Sequence, residues 1–583
     1  MKLKFVLLVL TLICSQLNSE QFLPFPEKEV IQSAVFTPSS RISVSRERLD
    51  IAFCDEGIAL AIAEEKKAAD DLLAGERKLI EEVNTATQSE ASESPLSILK
   101  ALYFTLYNQR QIAISELNLF YQKGVAEESA EPFDVFTQDQ LTYHRVDNFQ
   151  IPYTVRTHHH QYETTAAANI SKSTRLGTSF NANLSVDKIH NKYLYEIKAL
   201  PAPTVNKGFI SFQITQPLLK GFINSYKTMF EQSSQALVWA RYYDSLQSIA
   251  SALLNTLNAY WQLVAAERSI TVILQSIDRI QKIINDSQVL VNEGLMAPND
   301  FNQPLLQMAT RRSQLYVAEQ MLFTQQEQLK FYMGFTSPCE KCIDTFTSKD
   351  SFPSVQDAPA NLCQMLASWT QKALKDRYDL QSLRTTIASN ALLLRGRNND
   401  LLPQVDLFYE VNASNFRVGH KAKPLFSAFD RSGPQVERIV GVNFSAPLYN
   451  DGPKGRYVEA YATYLSSIQQ EQLAVQNILN NLRSFTSNQM ILVPQIAETQ
   501  KAVEVSNTLV TNKYIKLKYN EDDIFELLNL EDKVVTNELL YIQYLMQYAQ
   551  NIAQIRFYTN TLFAESPTGD VQIQDILTLP CLN

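Results

Sequence analysis

The chain has 583 residues, of which 45% are hydrophobic and 19% charged, with a net charge of −9 and only 15 glycines. Such a length and apolar content suffice for an extensive buried core, while the acidic balance leaves no basic footprint for nucleic acid. Scarce glycine, with no Gly-rich phosphate loop, no HExxH and no GxSxG in the sequence, gives an enzyme no supporting constellation, and no cofactor is expected.

At the N-terminus, Lys2 and Lys4 precede an apolar run from Phe5 to Cys14 and then polar residues. This is the pattern of a secretory signal peptide, assigned here to residues 1–19, and it is too short to span a bilayer. Cys14 stands where a lipobox cysteine would, but Ile13 occupies the position of the expected small residue, which argues against lipidation. No later segment offers about 18 uninterrupted apolar residues, so the expected product is exported without a spanning helix. Residues 20–94 read as an amphipathic helical extension ("EEKKAADDLLAGERKLIEEVN") and a linker ("TATQSEASESP"). Beyond Cys14 remain Cys54, Cys339, Cys342, Cys363 and Cys581. The "CEKC" at 339–342 has redox or metal spacing, yet neither a second CxxC nor paired histidines stand near it. A short structural disulfide in an oxidising compartment fits better.

From residue 95 the chain is organised as two repeats. The first, 95–335, is expected to hold a helix, strands over about 133–216, a long helix over 223–287, a tip turn at 288–299 and a return helix. The segment "YETTAAANISKSTRLGTSFNANLSVD" (162–187) reads as an additional hairpin about Arg175–Gly177. An equatorial connector rich in proline and turn residues follows at 336–362. The second repeat, 363–563, has a helix, strands over about 403–446, a long helix over 453–517 interrupted only by Pro494, a tip turn and a return helix. Residues 564–583 form a tail.

The duplication is clearest at two strand-to-helix junctions, Pro217 and Pro447. With these prolines aligned, Ile210, Phe212 and Ile214 match Val440, Val442 and Phe444, and small or polar Ser211, Gln213 and Thr215 match Gly441, Asn443 and Ser445. Strict alternation marks a strand with one apolar face, and a proline, lacking an N–H, ends its ladder. Each junction leads into a helix of roughly 65 residues, about 100 Å at ~1.5 Å per residue, a length that calls for coiled-coil packing. The stretch from Pro217 to Asp300 exceeds that from Pro447 to Asp523 by one heptad, which retains the helical face. The return helices balance these lengths if 300–335 joins with 363–398 and 523–562 joins with 95–130. On the strand "LLPQVDLFYEVNASNF" (401–416), Val405, Leu407, Tyr409 and Val411 share one face.

Alternating strands without a spanning helix fit an outer-membrane β-barrel, because only helices or closed barrels satisfy every backbone group in lipid. Four strands per chain cannot close a barrel alone, so copies of the chain must combine. At "LPQVDLFYEV", "QPLLKG", "APLYNDG", "LNAYWQLVAAERSI" and "VNEGLMAPNDFNQ", the sequence resembles the TolC-like outer membrane factor family, over roughly residues 95–563. The resemblance implies a mainly α fold with membrane β: long coiled-coil hairpins forming a tunnel, and four strands per chain in a trimeric, twelve-stranded outer-membrane barrel. It implies a homotrimer in the outer membrane of a Gram-negative-type bacterium, docked to a periplasmic adaptor and an inner-membrane pump, serving as the passive export duct of a tripartite efflux or type I secretion system. The competing expectation is a periplasmic coiled-coil structural or adaptor protein that never spans the membrane. The two alternating strand segments favour the duct.

The resemblance also places a periplasmic gate, because acidic residues constrict the family's tunnel at its tip. The family's paired tip aspartates fall on Asp523 and Glu526, with Glu in place of the second Asp and Leu517 where glycine is common. Glu521 and Asp522 stand next to them, and Asp300 follows Gly294 as in the first-half turn. Carboxylates converging from three chains repel one another and hold cations. The same acids also suit a helix N-terminus, where negative charge is favourable, so pore lining and capping both stay open. His158, His159 and His160 form the only histidine cluster. They lack cysteine or acidic partners at ligand spacing, so a polar stretch is expected rather than a metal site. Trp239 and Trp261 are expected in the helical core, and Tyr409 and Tyr449 suit an aromatic girdle.

Overall fold

In a computed structural model, the chain is described over residues 95–150, 157–195, 199–200, 204–335, 346–355, 362–419, 435–518, 523–565 and 571–580. The expected signal peptide and N-terminal extension, Cys14, the "CEKC" motif, Glu521 and Asp522 lie outside these residues. The helices are α1 (Ile98–Asn108), α2 (Arg110–Glu128), α3 (Tyr226–Asn292), α4 (Asn302–Met333), α5 (Leu362–Asp376), α6 (Tyr378–Asn399), α7 (Asp451–Lys518) and α8 (Ile524–Tyr558). The strands are β1 (Val135–Gln150), β2 (Thr157–Ser173), β3 (Ser179–Tyr195), β4 (Ala199–Leu200), β5 (Thr204–Pro217), β6 (Gln404–Gly419) and β7 (Gln435–Ser445), with a small tail hairpin, β8 (Phe563–Glu565) and β9 (Val571–Ile573).

The two long helices have 67 and 68 residues, and α7 passes through Pro494 unbroken. They run in the same sense away from the sheet. Helical contacts place α3 between α2 and α4 on one side and α6 and α8 on the other, with α7 beyond α6 and α8. The result is one layer of four rods. Two rods are two-piece, and their composition corrects the sequence expectation. The end of α4 abuts the start of α2: Gly334 caps α4 with φ +79°, and a Cβ there would collide with the Asn108 carbonyl at the α1/α2 break. Likewise α8 ends against the α5/α6 break, where Asn560 Nδ2 donates to the Asp376 carbonyl at 2.9 Å and the Arg377 guanidinium lies 4.8 Å from the Tyr558 ring. The rods are therefore α4 with α2 and α8 with α6. The breaks at Gln109 and Arg377 split the expected helices 95–130 and 363–398.

The core lies where these pieces meet. Leu253, Leu257, Tyr260, Trp261 and Leu263 of α3 are buried against Leu102, Leu329, Ile552 and Trp369. The Tyr260 hydroxyl donates to the Leu96 carbonyl at 2.9 Å, and the Trp369 indole N–H donates to the Pro580 carbonyl at 3.1 Å. Residues 346–355 of the connector, through Phe346 and Phe352, and residues 571–580 of the tail thus form a girdle at the middle of the helical layer. Trp261 is fully buried, whereas Trp239 is half-buried and meets Tyr242 edge-on.

All pairings in the main sheet are antiparallel, in the order β1-β2-β3-β5-β6-β7, with β4 paired to β3. Four strands were expected; six long ones are present, because the additional hairpin joins this sheet as β2–β3 between β1 and β5. Period-2 alternation gives the sheet two unlike faces. One presents Leu141, Ile210, Leu407, Tyr409, Val440 and Val442, each at least 40% exposed. The other presents Asn169, Asn183, Ser211, Gln213, Glu410 and Asn412, and there Gly441 makes room for the Phe408 ring. The two junctions differ. The first needs eight residues from Pro217 to the Ser225 N-cap, with Gly221 and Ile223 at positive φ; the second moves from Ser445 to α7 in five.

Candidate functional site at the helical tip

The first tip turn, together with the end of α7 and the start of α8, lies at the end of the rods far from the sheet. This turn is a Schellman cap on α3: Leu295 N–H donates to Leu290 O at 2.9 Å and Gly294 N–H donates to Val291 O at 3.0 Å, with Gly294 at φ +75°. Met296 then packs against the cluster of Leu517, Ile524, Leu527 and Ile283. Leu517, 2% exposed, is therefore a hydrophobic lock between α7, α8 and α3.

Asp300 is exposed in the first turn. Its backbone N–H donates to Ala297 O at 3.1 Å, and α4 starts without a side-chain cap. Asp523 is the N-cap of α8, its carboxylate accepting from Phe525 N–H at 3.1 Å. Glu526 stands in the first helical turn, where the dipole favours an anion, and accepts from Lys513 Nζ of α7 at 2.7 Å. Both acids remain exposed. The fold thus brings Asp300, Asp523 and Glu526 to one end of the molecule, and two of them also serve the helix start.

Sequence reasoning missed the polar groups that tie the rods together above this end. Tyr514 of α7 donates to Asp286 of α3 at 2.5 Å. Its phenol is pushed up to about 12, first by burial and then by the Asp286 carboxylate. Arg279 of α3 donates from Nε to both oxygens of Glu531 on α8, at 2.9 and 3.0 Å, and Glu531 is fully buried. Burial pushes that carboxyl above the usual range, while Arg279 opposes the shift. Arg311 of α4, also buried, pairs with Asp532 of α8. The signal was legible: Glu531 falls on the apolar stripe Leu527, Leu528, Val534, Val535, where a lone acid must find a partner.

Nearer the girdle, an amide-lined cleft of about 590 Å³ runs between α3, α7 and α8, with Asn258, Gln262, Asn488, Gln495, Gln547 and Gln550 in its walls. Among the described residues no cluster of histidine, cysteine and acids could hold a metal. His158, His159 and His160 lie on β2 opposite Leu194, Tyr193 and Lys192. Tyr409 is on the apolar sheet face, and Tyr449, 84% exposed, is beside Leu448 at the second junction. No helix is long and apolar enough to cross a membrane among the described residues.

An antiparallel sheet feeding a single layer of long, partly two-piece helices defines a narrow class of folds. Solved structures of that class match. The Campylobacter jejuni outer membrane channel CmeC aligns at TM-score 0.57 and 11% identity over 82% of this chain and 87% of its own. The Vibrio cholerae outer membrane protein VceC aligns at 0.56 and 11% over 79% and 95%. The outer-membrane channel OprN aligns at 0.55 and 15% over 79% and 89%. The chain accordingly has the TolC-like outer membrane factor fold. No protein-family model matches the sequence, and no curated protein does.

Proposed function

We propose that this chain is one of three staves of an outer-membrane export duct, non-enzymatic and passive, working with a periplasmic adaptor and an inner-membrane pump in efflux or type I secretion. The observation that carries the reading is the two-faced sheet continuous with an open-edged helical layer. Its apolar face would meet lipid and its polar face a water-filled lumen. Among the described residues β1 and β7 have an unpaired edge each. The outer rods expose apolar side chains, Tyr316, Val317 and Met321 on α4 and Leu473, Ile491 and Val505 on α7. Further copies would cover both edges. Leu218, Phe222, Leu448 and Tyr449 at the junctions, all exposed, suit the membrane boundary. That CmeC, VceC and OprN are outer-membrane proteins supports the location.

In this reading Asp300, Asp523 and Glu526 ring the axis at the periplasmic end and set its cation affinity, while the Tyr514–Asp286 and Arg279–Glu531 ties hold the tip closed. The test is membrane fractionation with gel mobility before and after boiling, followed by planar-bilayer conductance. A heat-modifiable membrane trimer with discrete channels is expected. A soluble, unheated monomer would instead favour the periplasmic coiled-coil alternative.

A further inference from the structure

Six long strands meet only four rods. Strand order and rod order agree otherwise: α2 leads to β1, β5 to α3, α6 to β6 and β7 to α7. The hairpin β2–β3 is the surplus, and it is built into the sheet at both of its edges and at its turn. Sixteen residues of β2 pair with β1, and β3 pairs with β5 from Ser179 to His190. At the turn, Arg175 donates from Nε and Nη2 to the two Glu231 carboxylate oxygens at 2.8 and 2.6 Å, and Glu231, at the start of α3, is 3% exposed. The Thr228 hydroxyl donates to the Arg175 carbonyl at 3.0 Å, and Gly177, at φ +90°, sits so close to Gly221 that a Cβ would strike its carbonyl. The face pattern also runs through the hairpin. From β2 to β7, Leu184 lies in one row with Ala168, Ile210, Ala413 and Val436, a row that ends on Asp139 of the edge strand β1, and Asn183 lies in one row with Gln138, Asn169, Ser211, Asn412 and Glu437 on the other face.

Resting on the duct reading above, we propose that β2–β3 is membrane wall, so that three copies close a barrel of eighteen strands rather than twelve. The row of Val135 on β1 reaches Val440 on β7, whereas the helix-side end of β7 is Ser445, five residues on. Five residues of stagger over five strand-to-strand steps, at ~3.3 Å per residue and ~4.8 Å between strands, is a tilt of about 35°, within the range that closed barrels adopt. At that tilt eighteen strands span a circumference of about 105 Å and twelve about 70 Å, while twelve rods at ~9 Å spacing span about 110 Å. The hairpin therefore lets the membrane wall match the helical tunnel in girth. The outlet is as wide as the tunnel, and only the tip narrows the path. Even strand number also makes β1 and β7 antiparallel, as pairing between copies requires.

The experiment uses the full chain in lipid. Electron cryo-microscopy of the unaltered protein in nanodiscs should count eighteen strands around the barrel. Twelve, with β2–β3 outside the wall, overturns the proposal. Single cysteines in a background lacking the native ones give a second readout with a membrane-impermeant maleimide. Ala182→Cys and Leu184→Cys should label at least tenfold more slowly than Asn183→Cys and Ser185→Cys. If Leu184→Cys labels as fast as Asn183→Cys while Val440→Cys stays protected, the hairpin lies outside the bilayer and this inference alone fails. If Val440→Cys is equally reactive, the duct reading itself fails.

Discussion

Glu531 shows what a single buried charge does in a helical layer. The folded chain holds its proton more tightly than an unfolded chain would, so acidification through the range just above the ordinary glutamate value favours folding through this group. At neutral pH the charge depends on Arg279, and breaking a buried pair costs about 3–5 kcal/mol. Glu531→Ala should lower the midpoint of helical unfolding, followed by circular dichroism, more at pH 5 than at pH 7. Tyr514 has the same sign in an alkaline window. Its phenol is raised to about 12, so its contribution is complete below pH 10 and is lost as pH rises towards 12. Tyr514→Phe should remove one phenol titrating near pH 12 from the ultraviolet titration and raise single-channel conductance. The tip acids separate by role. Asp523→Ala loses a cap, at about 1 kcal/mol, whereas Glu526→Ala breaks an exposed pair worth about 0.5 kcal/mol or less. Conductance that rises in Glu526→Ala without loss of stability would come from the pore; unchanged conductance in both variants removes them from the gate.

At the scale of elements, the two-piece rods depend on one close approach each. Gly334 permits α4 to end against the α1/α2 break, in a conformation that costs an L-residue about 1–2 kcal/mol before any clash. Gly334→Ala should therefore lower the unfolding midpoint, and a value equal to wild type would count against the stacked ends. The balance of helix lengths was visible in the sequence because 3.6-residue periodicity and proline breaks are local. Which piece stacks on which was not visible. The expected joining of 300–335 with 363–398 balanced in length but failed in space, since hydrogen bonds such as Asn560 to Asp376 connect residues 184 apart.

For the whole molecule, the apolar sheet face predicts where charge is tolerated. Val442→Arg should cost about 2–4 kcal/mol if it sits near the bilayer midplane and should deplete the heat-modifiable trimer, while Asn412→Asp on the polar face should leave it intact. Alternation around Pro217 and Pro447, two helices of nearly 70 residues and acids at both tips were all legible in the sequence, since each is a short-range pattern of side-chain size and charge. Tertiary structure alone decided that the hairpin about Gly177 enters the main sheet, that α8 continues into α6, and that Arg279 meets Glu531. Those outcomes follow from long-range register and packing, where many partners satisfy the same local pattern and only simultaneous burial of every face selects one.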